Sequence, residues 1–311
     1  KSKNTMSTKH SDNRPLVSII TVVLNAERFI ERCVKSVIAQ TYKNIEYIVI
    51  DGGSTDRTLK ILEKYRDKID ILISEKDNGV YDAMNKGYRI SHGDYIIMLN
   101  SDDFFIPEAI ELSVNAIREQ KADYCGAQAY IIDKDSSIKY VYWPNCFDKS
   151  AYIAQNPCAH ETLLVSRKAY DDIGGYNTKY KIAADLKFEL ELISRGYVVA
   201  KVEQPILYFT DGGMSSNEEA ARKELVEILA DYLPIPRDYI EGLILLVNKG
   251  IPSENCIKAL SDQTILRVLP IEVISYLLVN IYYKYMKELN KHTEKTFFEK
   301  LVSKLRIMLK W

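Results

Sequence analysis

None of the five cysteines of this 311-residue chain is spaced to hold a metal: Cys33, Cys125, Cys146, Cys158 and Cys256 are scattered singly. That pattern excludes a cysteine-built metal site and reads as reduced, buried thiols of a cytoplasmic protein. Net charge is also missing, at −1 overall, which argues against bulk nucleic-acid binding. The longest uncharged apolar run near the C-terminus, Val273–Tyr283, is too short to span a bilayer, so the chain does not read as an integral membrane protein. No signal-peptide pattern is visible, and no Gly-x-Gly-x-x-Gly follows the first apolar run, which disfavours a dehydrogenase. What remains is ordinary for a globular protein, 47% hydrophobic and 27% charged, long enough for one large domain and an appendage. The 22 tyrosines are a high count and suit surfaces and interfaces, where an amphipathic ring is useful.

The most informative segment is Leu99-Asn100-Ser101-Asp102-Asp103-Phe104, directly after the apolar stretch Tyr95–Met98. An apolar run broken abruptly by two carboxylates reads as a buried strand ending in a cleft. Adjacent carboxylates repel unless a cation sits between them, and a hard divalent ion that completes its shell with phosphate oxygens and water fits best. The alternative is a capped turn, with Asp102 or Asp103 as N-cap of a helix starting near Pro107. Strand and helix patterns alternate through this half of the chain. Strands are expected at Leu16–Leu24, Ile45–Ile50, Ile69–Ser74 and Tyr95–Leu99. Helices are expected at Ala26–Gln40, from Thr55 or Asp56 to about Tyr65, and at Val80–Ile90. This order implies parallel strands with right-handed crossovers and a ligand at their carboxyl ends. Asn25, Asp51, Asp56, Glu75, Asp77, Asp102 and Asp103 all fall at such ends.

Val17–Asn25 (VSIITVVLN), Asp51–Thr58 (DGGSTDRT), Ser74–Gly87 (SEKDNGVYDAMNKG) and Gly93–Asp103 (GDYIIMLNSDD) resemble the family 2 glycosyltransferases. So do His160-Glu161, Gly174-Gly175-Tyr176, Lys181–Phe188 (KIAADLKF) and Phe209–Ser215 (FTDGGMS). The resemblance runs from about Pro15 to Ser216. It implies a GT-A fold, an α/β architecture with a Rossmann-like mixed sheet. It also implies inverting transfer from a nucleotide-diphosphate sugar, UDP first among them, to a hydroxyl of a glycan or lipid-linked glycan. Carried over residue by residue, Asp51 is the acid that accepts the base N–H, with Asn25, Gly52 and Asp77 around base and ribose. Asn100-Ser101-Asp102 matches the metal-binding triplet. Asn100 replaces the usual first acid, so Asp102 becomes the main ligand of Mn or Mg and Asp103 a supporting one. Gly212 and Gly213 offer backbone N–H groups to the diphosphate. Asp211 or water would complete the metal shell, since this chain lacks the histidine many relatives carry there. Asp185 matches the catalytic base, preceded by Ala184 where relatives often have Glu. His160, Glu161 and Trp143 line the acceptor side.

The chemistry is consistent with those residue types. A carboxylate opposite the leaving group can take the acceptor proton as the hydroxyl attacks, and attack from that face inverts the anomeric carbon. Plain structural readings stand beside these: Asp185 as a helix cap, His160 as a satisfied core histidine, Trp143 as core, and 209–215 as a surface loop.

The expected organisation is a disordered polar arm over 1–14, with Met6 a candidate natural start, a catalytic domain over 15–217 and a helical extension over 218–311. Expected extension helices are Glu218–Tyr232, Tyr239–Asn248, a short one capped by Ser253, and Thr264–Leu289 interrupted by Pro270. From Lys291 onward six Lys or Arg oppose two Asp or Glu, and Phe297, Phe298, Leu301, Val302, Leu305, Met308 and Leu309 share one face. Such a basic amphipathic helix suits a membrane surface, packing on the catalytic domain, or a second copy in a homo-oligomer. The expected setting is the inner face of the cytoplasmic membrane, in polysaccharide or lipopolysaccharide biosynthesis. Two other readings stay open: a nucleotide-sugar-binding protein with weak or no catalysis, and a membrane-surface scaffold.

Overall fold

The computed structural model describes residues 14–142, 147–154, 158–212, 218–249 and 254–277. The first half alternates as the patterning implies. Strand β1 (Val17–Val23) leads to helix α1 (Ile30–Ile38), β2 (Ile45–Asp51), α2 (Thr58–Leu62), β3 (Ile71–Ser74), α3 (Val80–Ile90) and β4 (Tyr95–Asn100). Helix α1 buries Ile30, Cys33, Val34 and Val37, the spacing of one helical face. It is shorter than the Ala26–Gln40 pattern because residues 26–29 form a turn, with Phe29 N–H donating to the Ala26 carbonyl at 2.9 Å. Helix α2 stops at Leu62 and continues as a 3-10 segment, Glu63–Lys68, with Tyr65 off helical geometry.

Next come β5 (Phe104–Phe105), α4 (Ala109–Gln120), β6 (Tyr124–Ile132), β7 (Ile138–Tyr142) and α5 (Ala151–Ala154). After these come β8 (Leu164–Ser166), α6 (Arg167–Ile173), α7 (Ala184–Ser194) and β9 (Val199–Thr210). The N-cap position of α4 is Glu108, so neither Asp102 nor Asp103 caps that helix. A 3-10 turn, His160–Thr162, precedes β8.

Among the described residues the strands form one mixed sheet in the order β3-β2-β1-β4-β8-β6-β9-β5, with β7 on β6. β3, β2, β1 and β4 are parallel, while β8 runs antiparallel to β4 and β6. Register decides where polar groups surface. Asn100 pairs with Val22, and Asp51 lies between Val23 and Ser74. The carboxyl ends therefore make one edge carrying Asn100, Asp51 and Ser74.

Both faces of the sheet are covered, which is why β1 and the end of β2 are buried at every successive residue. Ile20, Ile48, Ile50, Ile96 and Met98 face one core with α3 and α7; Ile19, Tyr47, Val49, Ile97 and Leu99 face the other with α1 and α4. The extension adds α8 (Glu218–Leu229), α9 (Arg237–Lys249), α10 (Glu254–Ser261), α11 (Gln263–Val268) and a helical stretch over 271–277. Its Leu225, Ile228, Leu229, Leu233, Ile240 and Leu243 belong to the same core as Leu186, Phe188 and Leu190 of α7. The described part of the extension is thus packed on the catalytic domain; the basic stretch from Lys291 and the arm over 1–13 lie outside the described residues. No helix among the described residues is long and apolar enough to cross a membrane.

Helix α3 approaches β1 closely at Gly87, where a Cβ would come within 2.4 Å of Ile20 Cγ2. Gly87→Ala should therefore destabilise the fold by about 1–3 kcal/mol. Urea midpoints at unchanged m-value check this, and an unaltered midpoint would show that the contact yields freely.

Candidate active site

The carboxyl edge of the parallel strands holds three groups of side chains. At the end of β2, Asp51 is fully buried, and its oxygens accept from Gly53 N–H at 3.2 Å, Ser54 N–H at 3.0 Å and Ser74 Oγ at 2.6 Å. Asn25, in the left-handed region at φ 51°, closes the loop from the β1 side. Its Oδ1 accepts from Thr55 N–H at 2.8 Å, and its own N–H donates to Ser54 Oγ at 2.8 Å. Asp77 lies directly over Gly52, where a Cβ would meet its Oδ2 at 2.3 Å, and its Oδ1 accepts from Gly79 N–H at 2.9 Å. A side chain at 52 would have to displace the Asp77 carboxylate. Asp51 and Asp77 thus bracket Gly52, a slot whose carboxylates can accept the N–H of a planar base.

The second group is the turn after β4. Asp103 is buried, and its Oδ1 accepts from Thr210 N–H at 2.7 Å, which ties the turn to the end of β9. The Asp102 carbonyl accepts from Thr210 Oγ1 at 2.7 Å and from Arg32 Nη2 at 3.0 Å. The Arg32 guanidinium lies 4.1 Å from the centroid of the Phe104 ring, and its Nη1 donates to Ser136 Oγ at 2.6 Å. Arg32 therefore braces the turn from behind by its backbone, leaving the Asp102 carboxylate for something else. Burial raises the Asp102 carboxyl above its ordinary range and raises Asp103 further, with Glu161 and Asp102 adding to the effect at Asp103. Ser101 is half-buried on the same turn.

These residues fit a divalent cation. Two desolvated neighbouring carboxylates become favourable together once a cation is present, and Asp102 offers the freer one. Among the described residues no cluster of three or more His, Cys, Asp or Glu could hold a metal alone. Diphosphate oxygens and water would have to complete the shell, the ordinary arrangement for Mg or Mn. Asp211 is exposed and paired instead with Lys139 at 2.7 Å. Gly212 is exposed at φ 102°, with open space where a Cβ would stand. Gly213 and Trp143 lie outside the described residues.

The third group faces the second. Asp185 stands in the first turn of α7, and its Oδ1 accepts from Tyr81 Oη at 3.0 Å and from Leu186 N–H at 2.8 Å. Glu161 Oε1 accepts from Asn100 Nδ2, joining the 3-10 turn before β8 to the end of β4, while its buried Oε2 has no partner. Burial, with Asp185 and Asp102 adding to it, raises the Glu161 carboxyl to about 8. His160 is buried, its Nε2 is within 2.6 Å of Tyr176 Oη, and burial lowers its basicity; it is a satisfied, neutral imidazole. Tyr81, Arg32 and Glu189 were not legible as functional positions. Tyr81 did lie in a recognisable segment, and Glu189 follows Asp185 by one helical turn.

The comparisons agree with this geometry. A sequence profile described as Glycosyl transferase family 2 matches residues 18–176, just over half the chain. A PGL/p-HBAD biosynthesis glycosyltransferase of Mycobacterium tuberculosis is 27% identical over 207 residues, spanning 65% of this chain and 80% of the relative. Among solved structures, S. aureus TarS 1-349 in complex with UDP-GlcNAc superposes with TM-score 0.60 at 17% identity, covering 94% of this chain and 91% of that one. The mannosyltransferase PcManGT from Pyrobaculum calidifontis, in complex with GDP-Man and Mn2+, gives TM-score 0.56 at 16% identity, covering 88% of each. At these identities the two structures speak for the fold, which is GT-A-like.

Glu189 supplies a pH-dependent test of the buried carboxyl group. One of its oxygens accepts from the Cys158 N–H, and its Oε2 is buried without a partner. Burial, with Asp185 and Glu161 nearby, pushes its carboxyl well above the ordinary 4.5. The folded chain holds a proton there that the unfolded chain releases. This stability is full below about pH 4.5 and is lost as pH rises through the raised folded value. Glu189→Gln should therefore gain Tm relative to wild type as pH goes from about 5 to about 8. A Tm difference that stays constant over that range would contradict a protonated Glu189.

Proposed function

The chain belongs to glycosyl transferase family 2 and is a glycosyltransferase; on that premise we propose that it carries out inverting transfer from a nucleotide-diphosphate sugar to an acceptor hydroxyl, with Asp185 as base. The observation that carries the reading is the gathering of the Asp51–Asp77 slot, the Asp102–Asp103 turn and the Asp185 carboxylate at one end of the sheet. A base-reading slot, a diphosphate site and a proton acceptor are what such a transfer needs.

In the proposed reaction Asp51 accepts a base N–H, and Asn25, Gly52 and Asp77 frame the nucleoside. Asp102, with Asp103 behind it, would hold Mn or Mg, which when bound supplies Lewis-acid stabilisation of the departing diphosphate. Asn100 and Ser101 are assigned to the diphosphate and sugar, and Gly212 and Gly213 to the phosphates. The acceptor hydroxyl gives its proton to Asp185 as its oxygen bonds to the anomeric carbon. The bond from that carbon to the diphosphate oxygen breaks on the opposite face, and the nucleoside diphosphate leaves with the electron pair. Tyr81 holds Asp185 toward the cleft, which limits the positions the base can take. His160, Glu161 and Trp143 are assigned to the acceptor side.

UDP is the proposed nucleotide, supported by the UDP-GlcNAc bound to TarS. A metal requirement is supported by the Mn2+ in the mannosyltransferase complex. The proposed acceptor is a glycan or lipid-linked glycan in polysaccharide or lipopolysaccharide synthesis. The basic stretch from Lys291 would bring the protein to the inner face of the cytoplasmic membrane.

The test is nucleoside diphosphate release from UDP-, GDP- and dTDP-sugars, with Mn, with Mg and with EDTA, and with lipid-linked glycans added as acceptors. Release from one donor class should depend on the metal. Asp185→Asn should lower kcat by roughly 10²–10⁴-fold with donor KM little changed. Asp51→Ala should instead weaken donor binding, by about tenfold or more for a lost hydrogen bond to a charged group. Tight donor binding without release under every condition would favour a binding protein.

A further inference from the structure

The helical extension meets the segment ahead of α7 through the side chain of Glu224. Glu224 of α8 accepts three consecutive backbone N–H groups on the segment that leads into α7. Its Oε1 takes Lys181 N–H at 2.7 Å, and its Oε2 takes Ile182 N–H at 2.9 Å and Ala183 N–H at 3.0 Å. The same segment is held from the other side by Tyr81, whose Oη is 2.7 Å from the Ile182 carbonyl and 3.0 Å from Asp185 Oδ1. Residues 181–183 are therefore fixed by a carboxylate on one side and a phenol on the other, and Asp185 follows two residues later. The arrangement is anchored further along α7. Lys187 Nζ is 3.0 Å from both Asp231 Oδ2 and Tyr232 Oη, and Tyr232 Oη donates to Glu191 Oε1 at 2.8 Å.

Three N–H groups just ahead of a helix have no partners within that helix and must be met from elsewhere. Here they are met by a residue 41 or more positions further on, beyond the residues 18–176 that the family profile matches. A single rotation of the segment would move the Asp185 carboxylate, and misplacing a reacting group by about 1 Å can cost on the order of 10²-fold in rate. We propose that Glu224 is a positioning residue for the reaction, so that α8 is part of the active site rather than an appendage to it. This rests on the reading of Asp185 as the base.

The experiment compares Glu224→Ala, Glu224→Gln and Asp185→Asn in the full chain, using the donor and metal that release nucleotide fastest. Nucleotide binding by calorimetry and amide exchange accompany the kinetics. Glu224→Ala should lower kcat by about tenfold or more, while donor KM and nucleotide stoichiometry stay within about twofold of wild type. Glu224→Gln, which keeps an acceptor oxygen, should fall between. The amides of residues 181–183 should exchange at least about tenfold faster in Glu224→Ala, with those of residues 52–54 unchanged. If Asp185→Asn is slow but Glu224→Ala keeps wild-type kcat, positioning by Glu224 is overturned and the base assignment stands. If Asp185→Asn turns over normally, both fall. Loss of nucleotide stoichiometry in step with kcat, or unchanged exchange over 181–183, would also overturn the positioning role.

Discussion

Carboxylates gathered at the ends of buried strands must each be given a partner or a proton, and that constraint organises the whole cleft. Asp51 is met by two backbone N–H groups and the Ser74 hydroxyl at the end of β2. Asp103 is buried and tied to the Thr210 N–H. Its neighbour Asp102 has its backbone carbonyl held by Arg32 and Thr210. Glu161 and Glu189 each keep one buried oxygen without a partner and are pushed toward the protonated form. One set of acids thus divides into carboxylates met by N–H and hydroxyl donors and carboxyls driven toward the neutral form, according to what each meets, and the proposed roles follow that division.

The sheet makes this division possible. Parallel pairing in register brings Asn100 and Asp51 to one edge, and the antiparallel β8 brings His160 and Glu161 back to it. β9 then crosses to anchor the Asp102–Asp103 turn through Thr210. Helix α7 presents Asp185 from the opposite side, and its own placement depends on α8. Catalytic domain and extension share one hydrophobic core. A boundary near residue 217 therefore marks a change of secondary structure, with packing continuous across it.

The sequence was most legible where a side-chain period coincided with a polar break. β1, β2 and β4 are largely buried, and the apolar run of each gives way to a polar residue at Asn25, Asp51 and Asn100, so the strands and the acid cluster were readable together. α3 was readable at both ends because Gly79 and Ser91 flank a clean helical stripe. The nature of each contact was not readable. Glu189 looks like any helical glutamate until Cys158 is found against it, and nothing adjacent in sequence links Glu224 to Lys181, Ile182 and Ala183. His160 beside Glu161 suggested a pocket pair, yet the imidazole is tied to Tyr176 while the carboxyl turns to Asn100. Such assignments depend on contacts between residues far apart in the chain, which no local pattern carries.

The most direct measurement is a crystal structure of the Asp185→Asn protein with UDP-GlcNAc and manganese. The account predicts uracil against Asp51 beside Asp77, the diphosphate at Asp102, and residue 185 across the anomeric carbon from the leaving oxygen. A nucleotide seated away from Asp51, or an anomeric carbon turned from residue 185, would contradict it.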